Sequence, residues 1–360
     1  MAEKVVKVGI IGCGGIAGAH IGGYKTLTDI AEVVACCDID GAKAERYANA
    51  HGIPAHYVDY KEMFEKENLD AVSVCTWNAA HAPATIDALN AGINVLCEKP
   101  MAMNTKQALA MKEAAEKNGK LLMIGFVRRF GNDADILKKF IDEGTMGDVY
   151  YAKATYLRRN GFPGGWFGDK EYSGGGPLID LGVHVIDLCR YLAGGPKPVS
   201  VFGVTYGNLG PNRAVSAGTQ QWSVSKNALG IDFKYTVEDF ATALIRFDNG
   251  MTISVEASFN LNIKHDIGNI EIFGTKGGAR VDPQIELFTD MNGMFVDVRP
   301  SGNTALNFDG LFAREVRHFV ECVRGEKECI STADDGVTLM RILDAIYESA
   351  ETGKEVSIQY

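Results

Sequence analysis

Long apolar runs are missing from this 360-residue chain: the longest, 121–127, has seven residues, against the roughly 18 a membrane span requires. Dense runs of lysine or arginine are missing too. With 36 basic against 46 acidic side chains, the formal charge is −10, a surface that repels nucleic acid and anionic lipid. None of the eight cysteines, Cys13, Cys36, Cys37, Cys75, Cys97, Cys189, Cys322 and Cys329, forms a Cys-x-x-Cys pair. Most lie in apolar strand-like or helical contexts, where cysteine behaves as a small hydrophobe. The first residues do not read as a secretory signal, because Lys4 and Lys7 interrupt the apolar stretch before it meets a glycine cluster. The expectation is a reduced, cytoplasmic protein with neither a membrane nor a nucleic-acid partner. Internal repeats and low-complexity linkers are also absent.

What is present is ordinary globular material. Hydrophobic residues make up 46% and charged residues 23%, and the length suits two domains. Up to about residue 125, short apolar strands (5–11, 33–37, 71–75, 94–97, 121–127) alternate with helical stretches, the pattern of a parallel sheet covered on both faces. Thr105 reads as the cap of a helix ending at Gly119. The character then changes. Helices are expected at 133–143 and 177–193, followed by strands with a strict period of two, Met251, Ile253, Val255, Ala257 and Phe259 alternating with polar residues. Asp248-Asn249-Gly250 makes the hairpin turn before them. Two helices, 311–324 and 335–351, finish the chain. The fold class is therefore α/β: an N-terminal Rossmann domain over 1–125, and over 126–360 an α+β domain with an open-faced, mostly antiparallel sheet. That open face invites self-association, as a homodimer or homotetramer.

Gly12-Cys13-Gly14-Gly15-Ile16-Ala17 fits G-x-G-x-x-A where a strand hands over to a helix. Gly12 permits the tight turn, Gly14 lets the backbone approach a pyrophosphate, and Ala17 lets the helix pack close to the strand. Free N–H groups at the helix start then face the phosphates. Asp38 closes the second strand, placed to accept from the adenosine ribose, with a helix N-cap as its structural alternative. Facing a 2′-phosphate instead, one like-charge pair at about 4 Å costs about 4 kcal/mol at an effective dielectric of about 20. Ile39 and Asp40 follow rather than a base, so NAD is expected in preference to NADP.

Two further constellations stand out. Glu98-Lys99-Pro100 sits at the C-terminal end of a buried strand, the edge where open α/β sheets bind ligands. Gly174-Gly175-Gly176-Pro177 opens a helix on which Asp180 and His184, four positions apart, share a face; the glycines are read as leaving room for a ligand. A satisfied core pair is the structural alternative. No third ligand at helical spacing accompanies them, so no metal is expected. Tyr156 and Arg158 fall on one strand face, and Trp166 belongs to a Gly/aromatic loop, 158–172, that could cover a site and stack on a sugar. Arg128, after the last parallel strand, either touches cofactor or pairs with an acid.

The glycine loop, Thr76-Trp77-Asn78 with His81, Glu98-Lys99-Pro100, the Asp180-x-Gly182-x-His184 helix and the closing 335–354 segment together resemble the Gfo/Idh/MocA oxidoreductases over nearly the whole chain. The resemblance implies NAD(P)-dependent oxidation of sugars or cyclitols. It places Lys99, Asp180 and His184 at catalytic positions and Glu98 near the nicotinamide ribose. The cofactor set so implied is Gly12, Gly14, Gly15, Ile16, Asp38, Ile39, Thr76, Asn78, His81, Glu98, Lys99 and Arg128; the substrate set is Tyr156, Arg158, Trp166, Asp180 and His184. A free imidazole titrates near 6.5 and a free lysine near 10.4, so a histidine serves as base without large tuning. His184 is then the base and Lys99 the cation that stabilises an alkoxide, with proton relay by Lys99 as the alternative. The expected reaction is oxidation of a ring hydroxyl, such as C3, of a sugar or glycoside. Alternatives are an inositol or cyclitol dehydrogenase, an NAD-dependent glycosidase that recycles its cofactor, and a non-catalytic sugar/NAD sensor.

Overall fold

The computed structural model describes residues 5–210, 231–281 and 284–360. They form two compact units. One comprises the described residues of Met1–Val127, Trp222–Asp232 and Asp309–Val337; the other comprises those of Arg128–Gln221, Phe233–Phe308 and Thr338–Tyr360.

The first unit is built on strands β1 (Val6–Ile11), β2 (Ala31–Cys37), β3 (Ala55–Tyr57), β4 (Ala71–Val74), β5 (Asn94–Glu98) and β6 (Leu122–Gly125). They pair in the order β3-β2-β1-β4-β5-β6, every pairing parallel. Between them run α1 (Gly15–Tyr24), α2 (Gly41–His51), α3 (Tyr60–Lys66), α4 (Asn78–Asn90) and α5 (Thr105–Asn118). Val8, Ile10, Val72, Val74, Val95 and Leu96 are wholly buried, as expected of strands covered on both faces. The strand order reverses between β1 and β4, and the loops leaving these two strands carry the glycine motif and Thr76. The short β3 and α3 have no clear apolar period and are not legible in the sequence. Two caps differ from the expected ones. Asn104, not Thr105, accepts from the Gln107 N–H at the start of α5, and Asp40, not Asp38, accepts from the Lys43 N–H at the start of α2.

The second unit contains α6 (Asn132–Asp142), α7 (Lys170–Ser173), α8 (Val183–Leu192) and a nine-stranded sheet. Its strands are β7 (Val149–Leu157), β8 (Pro198–Tyr206), β9 (Phe240–Phe247), β10 (Thr252–Ser258), β11 (Ile267–Gly274), β12 (Gly277–Arg280), β13 (Glu286–Met291), β14 (Met294–Val298) and β15 (Val356–Ser357). Only β7 and β10 pair in parallel; every other pairing is antiparallel. The period of two has its physical meaning here. Val201, Ala241, Ile245, Ile253, Val255 and Ala257 fill the buried face, while Phe202 pairs directly with Leu244, and Tyr206 with Phe240, on the other. Phe202, Tyr206 and Leu244 remain exposed. The expected helix at 177–193 is instead a π-helical turn over Leu178–Gly182 that passes into α8. Arg129 and Asp187, both buried, form a two-pronged pair (2.9 and 2.6 Å) that fastens α8 to the segment before α6. The last two helices are α9 (Phe308–Val323) and α10 (Ala333–Thr352). Among the described residues no helix is long and apolar enough to cross a membrane.

Candidate active site

In the first unit the glycine loop is held by its neighbours. Gly12 has φ +89°, and a side chain there would lie 2.6 Å from the Cys75 carbonyl oxygen, so the turn admits only glycine. At Gly14 and Gly15 an added Cβ would meet no protein atom, which leaves an open cradle over the start of α1. No side chain caps that start and no acid occupies its first turn, so its N–H groups suit a pyrophosphate. Ala17 is fully buried, and Ile16 packs on the core beneath the loop. Asp38 does more than the sequence suggests. Its carboxylate accepts from the Cys13 N–H (2.9 Å) and the Asp40 N–H (3.0 Å), and the Lys43 ammonium lies 2.8 Å away. Ile39 beside it is 59% exposed, an apolar surface at the end of β2. These residues fit a dinucleotide.

The loops after β4 and β5 are tied together by His81. Its buried ring reaches the Pro100 carbonyl through Nδ1 (2.7 Å) and the Thr76 carbonyl through Nε2 (3.1 Å). Burial lowers its pKa, against the pull of those two carbonyls. A neutral ring has one N–H and donates to one of these carbonyls at a time, and lying between them His81 braces the Thr76 and Lys99 loops. The Thr76 hydroxyl turns to the Trp77 carbonyl, and Asn78 is buried in the first turn of α4. Lys99 is half-buried and precedes a cis peptide to Pro100.

Behind Lys99 lies a cluster the sequence did not disclose. Glu98, at the end of β5, accepts the Lys99 N–H on Oε2 (3.2 Å) and meets His20 Nε2 through Oε1 (2.8 Å). The third member is Glu315 of α9. One oxygen of Glu315, one ring nitrogen of His20 and one oxygen of Glu98 lie within 4.8 Å of one another, and all three residues are buried. Close helix packing makes this possible: a side chain at Gly23 would strike Val316 Cγ2 at 2.5 Å, so glycine lets α1 settle onto α9. Neither Glu315 oxygen has a hydrogen-bond partner among the described residues. Burial, then the neighbouring Glu98 charge, pushes Glu315 well above the usual carboxylate range, so it is held as the neutral acid. No local motif marks His20 or Glu315; only the contact between their helices unites them.

In the second unit the glycines before Pro177 serve packing, which corrects the expectation of ligand space there. A side chain at Gly175 would meet the Tyr347 hydroxyl at 2.0 Å, and one at Gly176 the Glu238 carbonyl oxygen at 2.4 Å. The Glu238 carboxylate occupies the helix start instead, accepting from the N–H groups of Gly176 (2.9 Å) and Leu178 (3.2 Å) and from the Tyr347 hydroxyl (2.9 Å). Asp180 lies buried within the π-helical turn, with its N–H on the Gly176 carbonyl (3.1 Å), and His184 is half-buried in the first turn of α8. The two do not follow one α-helical register, since the wider turn lies between them.

Tyr156 and Arg158 do meet, hydroxyl to guanidinium, at 2.9 Å, and Arg158 also holds Asp266 at 2.9 Å. Trp166 stacks on Phe167 with ring centroids 3.9 Å apart. Of the two roles open to Arg128, pairing with an acid is what the structure displays: its guanidinium lies 2.8 Å from Asp133.

Comparison with known proteins covers most of the chain. The profile described as the oxidoreductase family, NAD-binding Rossmann fold, matches residues 6–126. The profile for that family's C-terminal alpha/beta domain matches residues 138–358. The D-glucoside 3-dehydrogenase of Escherichia coli (strain K12) is 35% identical over 99% of both chains. The scyllo-inositol 2-dehydrogenase (NAD(+)) of Bacillus subtilis (strain 168) is 28% identical over 99% of this chain and 97% of its own. A solved levoglucosan dehydrogenase in complex with NADH shares the fold, with TM-score 0.84 and 24% identity over 99% of this chain and 100% of its own.

Two outcomes are expected. Asp38→Ala removes an ionic acceptor of about 1.5–3 kcal/mol, so NADH should bind about 10- to 100-fold more weakly and NADPH should lose less. Nicotinamide fluorescence titration reads both, and equal losses would reduce Asp38 to a loop support. Glu315, raised in the folded state, keeps a proton that the unfolded chain releases. Its contribution to stability therefore falls as pH climbs from the ordinary carboxylate range toward its folded value. Urea unfolding of Glu315→Gln should show an advantage over the parent that widens from about pH 5 to about pH 8. A gap constant with pH would mean that Glu315 is ionised.

Proposed function

We propose that this chain, which belongs to the Gfo/Idh/MocA oxidoreductase family, oxidises the C3 hydroxyl of a D-glucoside to the ketone. The family and its NAD-binding domain make it an NAD-dependent dehydrogenase of sugar-type hydroxyl groups. The choice of glucoside and of position rests on one observation, the end-to-end similarity to a D-glucoside 3-dehydrogenase. Bound NAD supplies the hydride acceptor.

The chain's own residues handle the proton and the charge. His184 Nε2 or Nδ1 takes the hydroxyl proton, since a histidine ordinarily titrates near neutrality. The Lys99 ammonium is assigned to offset the negative charge that develops as the proton leaves. Glu98 fixes the Lys99 backbone by accepting its N–H, and His20 holds Glu98 from behind, with Glu315 beside them. Asp180 orients the substrate or the imidazole. Trp166, stacked on Phe167, offers an apolar plate for a sugar face, with Tyr156 and Arg158 as polar contacts.

The second unit also supports self-association. Phe202, Tyr206 and Leu244 form an exposed apolar row on the open face of the sheet, with Tyr206 stacked against Phe240 (5.8 Å between centroids). A second copy of this chain is the occupant we assign to it.

Incubation with NAD and a panel of alkyl glucosides, free sugars and inositols, followed by NADH absorbance, should give turnover on the glucosides and a 3-keto product by NMR. Turnover on inositols alone would overturn the substrate assignment. Lys99→Ala and His184→Ala should each lower kcat by about 10²–10⁴-fold, with NADH affinity within a few-fold of the parent. Near-normal kcat in either removes that residue from the chemistry. Leu244→Glu should shift the sedimentation mass from oligomer to monomer, and a parent chain that is itself monomeric would refute the assigned interface.

A further inference from the structure

We propose that His318, Cys322 and Cys329 form a binding site for a thiophilic divalent cation of the zinc type. His318 and Cys322 are four positions apart on α9 and so share a helix face. Cys329 comes from the connection between α9 and α10 and folds back onto them. One ligand atom from each residue lies within 4.8 Å of the other two, and Cys322 Sγ is 3.4 Å from His318 Nε2. A tetrahedral zinc, about 2.3 Å from sulfur and about 2.0–2.1 Å from nitrogen, holds a sulfur and a nitrogen about 3.6 Å apart and two sulfurs about 3.8 Å apart. The observed sulfur–nitrogen distance is already within about 0.2 Å of that value, and the other two pairs, within 4.8 Å, need close by at most about 1 Å.

The chemistry of the three groups suits the same reading. A metal takes thiolates and a neutral imidazole. His318 Nε2 accepts the Ile330 N–H at 3.2 Å, so that nitrogen carries no proton and its lone pair is held in this bond. Loading an ion displaces this bond. His318 is buried while both cysteines are half-buried, so the fourth position stays open to water or to a further donor.

The site's place in the fold suggests its use. Ser331 exchanges hydrogen bonds with Ile124 in β6, and Thr332 bridges Met123, so the connection after Cys329 extends the edge of the parallel sheet. An ion held by α9 and Cys329 would staple that connection to the helix carrying Glu315. The three-residue and six-residue gaps match no common metal motif, so the sequence alone does not single this set out.

The test uses the full-length protein, reduced and stripped with a chelator, then titrated with cobalt(II) and with zinc. One cobalt per chain should bind with a thiolate-to-cobalt absorption band, zinc should displace it, and equimolar zinc should raise Tm. Cys322→Ser and Cys329→Ser should lose the band, and His318→Gln should weaken cobalt binding at least tenfold. NADH titration of each variant confirms that it is folded. Absence of the band with every thiol still titratable would overturn the proposal. So would metal-independent formation of a Cys322–Cys329 disulfide in air together with no cobalt uptake, which would make the pair a redox couple instead.

Discussion

A buried carboxylate accepting backbone N–H groups recurs wherever this protein must hold a loop still. Asp38 takes the Cys13 N–H and so fixes the glycine turn. Glu98 takes the N–H of Lys99, the residue assigned to the reacting hydroxyl. Glu238 takes two N–H groups at the start of the segment that carries Asp180 and His184. Charged acceptors make stronger bonds than neutral ones, and each such bond in a low-dielectric setting is costly to break. The positions of the functional side chains thus depend on carboxylates one layer behind them.

That layer has a consequence for charge. Glu98 already carries the Lys99 N–H and His20, and Glu315 lies beside it with no hydrogen-bond partner among the described residues. Two ionised carboxylates in one dry cluster would repel strongly, and one retained proton removes the repulsion. Neutral Glu315 then packs as a polar but uncharged neighbour.

Much of this was legible in the sequence. The glycine loop, the alternation of strands and helices, and the period of two around Val255 each express a local rule, and each led to the right element. What escaped was non-local. Strands β12 to β14 are short, and they gain their stability from neighbours rather than from their own pattern. Gly175 and Gly176 read as room for a ligand because sequence shows a missing side chain but not what fills the gap, here Tyr347 and Glu238. The α-helical spacing of Asp180 and His184 failed for a related reason, since a π-helical turn has no distinct hydrophobic period. His20 and Glu315 are 295 positions apart, and no spacing rule reaches that far.

The second unit adds a division of labour along one sheet. Its buried face is almost wholly small or β-branched, as at Ala152, Ala154, Ala241, Val255 and Ala257, which lets the π-helical turn approach closely: Gly182 faces Ala257, and an added Cβ would come within 3.5 Å of the Ala257 side chain. The opposite face carries large residues, Phe202, Tyr206 and Leu244, that no helix of the described chain conceals. Small residues inward bring the segment with Asp180 and His184 tight against the strands. Large residues outward leave apolar area for a partner copy. A sheet burying one face on its own helices and offering the other to its twin would stiffen the strands on which that segment rests, linking assembly to the placement of the proposed base.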